Sequence, residues 1–115
     1  MIVNDLDIDA VKAGLDDGSI LLVDVREPHE FAAGHIPGSV SRPLSQFDPA
    51  DLPNEPGKRI VLSCAAGVRS RRALEFAKSA GLDIDSHYAG GFKDWLMHGE
   101  PGRLDRKSTR LNSSH

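Results

Sequence analysis

Two short apolar runs constrain the fold of this 115-residue chain more than any other feature. Residues 20–25 read Ile-Leu-Leu-Val-Asp-Val, and residues 59–63 read Arg-Ile-Val-Leu-Ser. Near-continuous apolar runs of this length are typical of central strands in a parallel sheet, because such strands are covered on both faces. We therefore predict that both runs form buried, parallel strands.

Helical patterns lie between these strands. The first predicted helix follows Asp7, which can act as its N-cap, and it ends before Gly18. Further helices are predicted over three segments that each precede a glycine: residues 28–33, 70–80 and 92–98. Weaker strands are predicted near residues 39–41 and 85–88. The alternation of strands and helices predicts an α/β fold with a central, mainly parallel β-sheet and helices on both faces.

The end of the chain differs in composition from the rest. Residues 103–115 are rich in Ser and Arg, lack apolar periodicity and carry a net charge of +3, whereas residues 1–102 carry −6. We predict a single domain over residues 1–102 and a disordered basic tail over residues 103–115, of the kind that vector or sequencing-adapter sequence leaves. A genuine basic interaction arm is the alternative interpretation of the tail.

Composition excludes several classes of function. No segment approaches the roughly 20 apolar residues of a membrane-spanning helix, and the first residues are acidic where a secretory signal is basic, so we expect a cytoplasmic protein without membrane contact. An isoelectric point near 5.9 and 5% aromatic residues argue against nucleic-acid binding. The histidines form no ligand pair with helical spacing, so we expect neither a metal site nor a cofactor.

The only cysteine, Cys64, directly follows the second predicted central strand. It therefore lies at the carboxyl end of a sheet strand, where open α/β folds bind their ligands. The next four residues, 65–68, are small or apolar and include Gly67, so their N–H groups can turn inward as an anion-binding nest. The start of the following helix adds positive potential, and we predict a thiol pKa below the ordinary value.

Positive charge is concentrated around the same thiol. Residues 58–78 carry a net charge of +5, which includes Arg69, Arg71 and Arg72 near the start of the helix. Cations there oppose the helix dipole by about 0.3–1 kcal/mol each, so we predict that Arg69 and one of its neighbours receive an incoming anion. The alternative for Arg71 and Arg72 is exposure to solvent and pairing with Glu75.

Four motifs in this order resemble the rhodanese homology domain in its single-domain form. They are Leu-Val-Asp-Val-Arg-Glu at 22–27, Glu-Phe-Ala-Ala-Gly-His-Ile-Pro-Gly-Ser at 30–39, Cys-Ala-Ala-Gly-Val-Arg-Ser at 64–70 and Gly-Gly-Phe-Lys-Asp-Trp at 90–95. The resemblance implies a rhodanese-like fold and makes Cys64 the sulfur-carrying nucleophile. It also implies that thiosulfate, a small anionic donor, gives its outer sulfur to the thiolate and releases sulfite. The persulfide then passes the sulfur to cyanide or to a thiol.

The resemblance and the residue chemistry together give a candidate site. Cys64 is the expected catalytic residue, and the rest of its loop is expected to bind substrate: Ala65, Ala66, Gly67, Val68, Arg69 and Ser70. We expect Asp24 to support this loop by accepting its N–H groups, and Arg26 to pair with Glu27, Glu30 or another acid. Arg71 and Arg72 are candidates for the same supporting shell.

Three motif residues outside the loop are predicted to be structural. His35, between glycine and proline residues, is expected to hydrogen-bond backbone in a turn. Trp95 is expected to anchor the last helix in the core. Gly90 and Gly91 either form an ordinary turn or bring backbone close to the site.

Two other functions compete with sulfur transfer. A cysteine-dependent phosphatase or arsenate reductase places five residues between Cys and Arg, whereas residues 65–68 are only four and leave a tighter ring suited to a single sulfur atom. A non-catalytic rhodanese-like binding module often lacks the cysteine, but this chain retains Cys64 together with Gly67 and Arg69. Because Cys64 has no second cysteine to resolve a persulfide, the sulfur acceptor must come from outside the chain.

Overall fold

The computed structural model describes residues 3–53 and 55–102, and one parallel sheet runs through them. Its strands are β1 (Asn4–Leu6), β2 (Ile20–Asp24), β3 (Val40–Ser41), β4 (Arg59–Ser63) and β5 (Ser86–Tyr88). In the sheet they lie in the order β1-β5-β4-β2-β3, and every neighbouring pair is parallel. The prediction of a central parallel sheet is confirmed.

Four α-helices connect these strands: α1 (Ile8–Asp17), α2 (Pro28–Ala33), α3 (Val68–Ser79) and α4 (Gly91–Met97). Short 3₁₀ turns at Leu44–Gln46 and Pro49–Asp51 lie between β3 and β4. The predicted start of α1 is confirmed, because the Ala10 amide donates to the Asp7 carboxylate at 2.9 Å and Gly18 closes the helix in the left-handed conformation.

Two details of the prediction are wrong. Helix α3 begins at Val68, two residues before the predicted start, because Gly67 with φ +89° turns the chain directly into the helix. Strand β1 was not predicted, since three residues of mixed polarity carry no alternation that marks a strand. The predicted tail, residues 103–115, lies outside the described residues.

Apolar residues from the central strands form one core on each face of the sheet. Leu21, Val23 and Leu62 pack with helix α3 on one face, whereas Leu22 and Val61 pack with α1 and α4 on the other. This division explains the unbroken apolar runs, because each alternate side chain enters a different core. Helices therefore cover both faces as predicted, and Trp95 is buried in the second core.

Strands β2 and β4 end level with each other, which brings two sequence motifs to one edge of the sheet. Asp24 is paired in register with Ser63, and the Val25 amide donates to the Ser63 carbonyl at 2.8 Å. The residue after β4, Cys64, therefore emerges beside the end of β2. This edge carries the candidate site.

We expect Leu22→Ala to lower the free energy of unfolding by about 2–5 kcal/mol, because it removes a fully buried side chain and leaves a cavity. Urea denaturation followed by circular dichroism measures this loss. In the matched control Leu96→Ala the side chain is already about half exposed, so the loss should stay below about 1 kcal/mol. Equal losses in the two variants would contradict the described core.

Candidate active site

Cys64 lies at the centre of the candidate site, beneath its own loop and the first turn of α3. Its Sγ accepts a hydrogen bond from the Gly67 amide at 3.1 Å and lies 3.5 Å from the Ser70 hydroxyl. The residue is only 1% exposed, so the sulfur is held inside the loop rather than presented on the surface.

Hydrogen bonds to the buried sulfur give the Cys64 thiol a lower pKa than that of an ordinary cysteine. Burial by itself raises the pKa of the Cys64 thiol and is the largest single influence. The Ser70 hydroxyl and the backbone amides of Ser70, Ala66 and Gly67 act in the opposite direction, and the resulting pKa is lowered. The predicted direction of the shift is confirmed, and the ring of donors is its cause.

Helix α4 fixes the orientation of the first two peptide groups of the loop. The amides of Phe92 and Lys93 donate to the carbonyls of Cys64 and Ala65 at 2.9 and 3.0 Å. In a planar trans peptide the N–H points away from the carbonyl, so the N–H groups of Ala65 and Ala66 face away from α4. The Ala66 amide accordingly contributes to stabilising the thiolate.

Two glycines permit this close packing. A Cβ on Gly67, whose φ is +89°, would lie 2.3 Å from the Ala89 carbonyl oxygen. A Cβ on Gly91, whose φ is +68°, would lie 2.5 Å from the carbonyl oxygens of Cys64 and Ala65. Of the two predictions for the Gly90–Gly91 pair, the close approach of backbone to the site is therefore confirmed.

Arg69 is held by a carboxylate that the sequence analysis did not assign to it. Its guanidinium forms a bidentate ion pair with Glu30, with N···O distances of 2.6 and 3.0 Å. The hydrogen bonds from Arg69 lower the pKa of Glu30 to about 2, against the opposing effect of its partial burial. Glu30 also accepts the Glu27 amide at 2.9 Å at the start of α2, so the ion pair joins α2 to the Cys64 loop.

Asp24 and Arg26 form a buried pair of their own. Arg26 donates to both carboxylate oxygens of Asp24 at 2.8–3.1 Å, and it also donates to the Gly34 carbonyl at 2.8 Å. Its guanidinium lies 4.6 Å from the centre of the Phe92 ring. Among the described residues Asp24 accepts no amide from the Cys64 loop, so that expectation is wrong, whereas Arg26 does pair with an acid. The pair supports the site through α4.

Arg71 and Arg72 are exposed on α3, and the hydrogen bonds of Sγ within the described residues come from other groups. Within residues 3–53 and 55–102 neither forms an ion pair with Glu75 or with any other acid. Val68 is also exposed at the outer end of the loop. The structure thus brings Ser70 and the loop amides to the sulfur but leaves these side chains outside.

Other residues have structural roles or were missed. The Nδ1–H of His35 donates to the Phe31 carbonyl at 2.8 Å and the His35 ring stacks on Phe31, so its structural role is confirmed. Sequence reasoning did not find His87 and Asp5, which lie beyond Ser70 in one series of hydrogen bonds. The one sequence feature that could have indicated His87 is the predicted strand near residues 85–88. Side chains alternate along a strand, so His87 and Tyr88 must lie on opposite faces of the sheet.

Neither a metal-binding cluster nor a membrane-spanning helix occurs in the described ranges. Residues 3–53 and 55–102 contain no group of three or more His, Cys, Asp or Glu side chains arranged to hold a metal ion. In the same ranges every helix is too short or too polar to cross a membrane.

Comparison with known proteins agrees with the sequence motifs. A family model described as Rhodanese-like domain matches residues 7–98. A protein of Synechocystis is 43% identical over 83 residues, which cover 72% of this chain, and the chain spans about half of that relative, 46%. The thiosulfate:glutathione sulfurtransferase of Saccharomyces cerevisiae is 34% identical over 99 residues, covering 75% of this chain and 71% of that protein.

A solved structure shows the same fold. The human single-domain sulfurtransferase superimposes with a TM-score of 0.70 at 29% sequence identity, covering 83% of this chain and 96% of the human chain. The similarity is one of overall fold. With the family match over residues 7–98, it shows that this chain belongs to the rhodanese-like domain family.

Proposed function

We propose that this protein is a sulfurtransferase that carries a sulfane sulfur on Cys64, taking it from thiosulfate or a similar anionic donor and giving it to a thiol. The observation that supports this most directly is the ring of donors around Sγ, which favours the thiolate. A thiolate is the nucleophile that attack on a sulfur–sulfur bond requires. The names of its relatives place sulfur transfer within the family.

The first half of the reaction loads the enzyme. The Cys64 thiolate attacks the outer sulfur of thiosulfate, a new S–S bond forms, and the original S–S bond breaks as sulfite leaves with its electron pair. The product is a persulfide whose outer sulfur is anionic, so one negative charge on Cys64 is replaced by another. Amides already aimed at a thiolate can stabilise this persulfide without reorganisation.

The second half returns the free enzyme. An external thiolate attacks the outer sulfur, and Cys64 leaves as a thiolate, so atoms and charge again balance. Cys64 is the only cysteine in the chain, so no second thiol of the same chain can attack its persulfide. The name of the yeast relative points to glutathione as the acceptor class, and cyanide is a second acceptor. We propose the cytoplasm as the site of this reaction, because thiols remain reduced there.

Arg69 is the residue that we propose to receive the sulfonate end of the donor. Its ion pair with Glu30 uses two of its nitrogens in the structure, whereas a guanidinium offers five N–H donors. The donor therefore either shares the guanidinium with Glu30 or displaces it. In both cases Glu30 competes with the dianion for the same positive charge.

The alternatives predict different behaviour. A non-catalytic binding module would have no need to stabilise the Cys64 thiolate and would not accept sulfur from thiosulfate. A phosphatase needs a ring wide enough for a tetrahedral oxyanion, whereas only residues 65–68 separate Cys64 from Arg69. A persulfide carrier that serves one protein partner would use the same Cys64 chemistry and differ only in its acceptor.

Incubation with thiosulfate is expected to add one sulfur atom to the wild-type protein, because the thiolate attacks the donor's outer sulfur. Intact-mass spectrometry measures the adduct, and subsequent glutathione should remove it. Cys64→Ser is the matched control and should show no adduct. An unmodified wild-type protein, or an equal adduct in Cys64→Ser, would end the proposal.

Changes at the Arg69–Glu30 pair are expected to move KM for thiosulfate in opposite directions. Arg69→Ala should raise it roughly tenfold or more, since a hydrogen bond to a charged group contributes about 1.5–3 kcal/mol. Glu30→Gln should lower it by removing the competing charge. Steady-state kinetics with thiosulfate measures both, with Lys78→Ala near the other end of α3 as a control of equal charge change. Unchanged KM in Arg69→Ala would show that backbone amides alone bind the donor.

A further inference from the structure

Ser70 connects the candidate nucleophile to a buried histidine. Its Oγ lies 3.5 Å from Cys64 Sγ and 2.8 Å from His87 Nδ1. The other ring nitrogen, His87 Nε2, lies 2.8 Å from a carboxylate oxygen of Asp5. Cys64, Ser70 and His87 are all buried, whereas the Asp5 side chain is 59% exposed. The series thus leads from a buried sulfur to a carboxylate at the surface.

The parallel sheet places the last two members of this series side by side. Asp5 on β1 is paired in register with His87 on β5, so the two side chains lie on the same face. Tyr88 next to His87 packs in the opposite core, under α1 and α4. Ser70 approaches His87 from helix α3. Because β1 is an edge strand, Asp5 remains in contact with solvent.

The donors and acceptors in this series are determined by counting hydrogens. A carboxylate only accepts, so the His87 nitrogen facing Asp5 carries a hydrogen. In a neutral imidazole the other nitrogen then has none and accepts the hydroxyl hydrogen of Ser70. Ser70 has no second hydrogen to donate, so the Cys64 thiol must be the donor to Oγ. This is the arrangement that suits an un-ionised Cys64.

An ionised Cys64 needs the opposite arrangement. The thiolate can only accept, so Ser70 must turn its hydroxyl hydrogen towards Sγ. It can do so while keeping its bond to His87 only if Nδ1 becomes a donor. Because Nε2 still donates to Asp5, His87 then carries hydrogens on both nitrogens. The hydrogen bond from Ser70 to the sulfur is therefore coupled to the protonation of His87.

We propose that His87, oriented by Asp5, receives the proton of Cys64 through the hydroxyl of Ser70. The Sγ–H bond breaks, Ser70 passes on one proton as it takes up another, and an Nδ1–H bond forms on His87. The products are a thiolate and a buried imidazolium whose other N–H is held by Asp5. This inference rests on the proposed function for its purpose, which is to prepare Cys64 for attack on the donor.

The imidazolium also matters after the first ionisation. In the proposed cycle Cys64 is a thiolate or an anionic persulfide at every stage, so His87 keeps its extra proton and remains as a countercharge. The groups facing its ring are Asp5 from β1, Ser70 from α3 and, beyond Ser70, Cys64 after β4. His87 and Asp5 act through Ser70, and we therefore class them as positioning residues.

The test measures how fast iodoacetamide alkylates Cys64 as a function of pH, read by intact mass. Cys64 is the only cysteine, so one adduct reports one site. Asp5→Asn keeps an oxygen that can accept from Nε2 but removes the charge that stabilises the imidazolium. We expect the midpoint of its profile to rise by about one pH unit, with roughly tenfold slower alkylation at pH values below both midpoints. The matched control Asp83→Asn, which changes an exposed aspartate after α3, should follow wild type.

A second variant and a spectroscopic measurement make the test specific. His87→Asn keeps hydrogen-bonding groups but cannot take up a proton, and its midpoint should rise further. The ¹⁵N resonances of His87 should show two protonated ring nitrogens under conditions where Cys64 is ionised, and only one in Cys64→Ala under the same conditions. If His87→Asn does not fold, the pH profile of Asp5→Asn alone tests the proposal. The Asp5 side chain lies at the surface, so its substitution should leave the protein folded.

The outcomes separate this inference from the proposed function. Coincident pH profiles for Asp5→Asn and wild type, in proteins with the same circular dichroism spectrum, would overturn the proton transfer. So would a single protonated nitrogen on His87 when Cys64 is ionised. Alkylation needs no sulfur donor, so a failure to accept sulfur from thiosulfate would end the sulfurtransferase proposal while leaving this result intact.

Discussion

The site depends on two hydrogen bonds between elements that are distant in sequence. The amides at the start of α4 donate to the carbonyls of Cys64 and Ala65, and this fixes the direction of the first two peptide groups of the loop around the sulfur. Gly91 allows the approach, since a side chain there would collide with the same carbonyls. Helix α4 is in turn anchored by Trp95 in the second core. The chemistry on one edge of the sheet therefore depends on packing beneath the opposite face.

Burial and hydrogen bonding compete at Cys64, and their balance explains the composition of the site. Removal of the sulfur from water opposes its ionisation, so a loop with fewer donors would leave an inert thiol. The Ser70 hydroxyl and the backbone amides of Ser70, Ala66 and Gly67 supply the compensation, and the amides require no particular side chain at Ala66. Within residues 3–53 and 55–102, Ser70 is the one side chain that hydrogen-bonds directly to the sulfur. Full charges are kept further away, with Arg69 neutralised by Glu30.

Much of this could be predicted from the sequence, and the failures have physical causes. The apolar runs identified β2 and β4 because each face of a central strand meets a core, and the position of Cys64 followed from the end of β4. The partners of Arg69 and Arg26 could not be assigned, since Glu30, Glu27 and Asp24 were equally suitable acids until the fold placed them. His87 and Asp5 were missed because their contact depends on the register between β1 and β5, and β1 is too short to have a pattern.

The burial of the sulfur also limits the size of the molecules that can react with it. Two copies of the chain could become disulfide-linked only if their sulfurs approached to about 2 Å, and a residue with 1% of its surface exposed does not permit that contact between folded domains. The proposed donor carries its reactive sulfur at one end, so only that atom has to reach Sγ. A lone thiolate would ordinarily be prone to dimerisation under oxidising stress, and in this fold steric shielding protects it without a resolving cysteine.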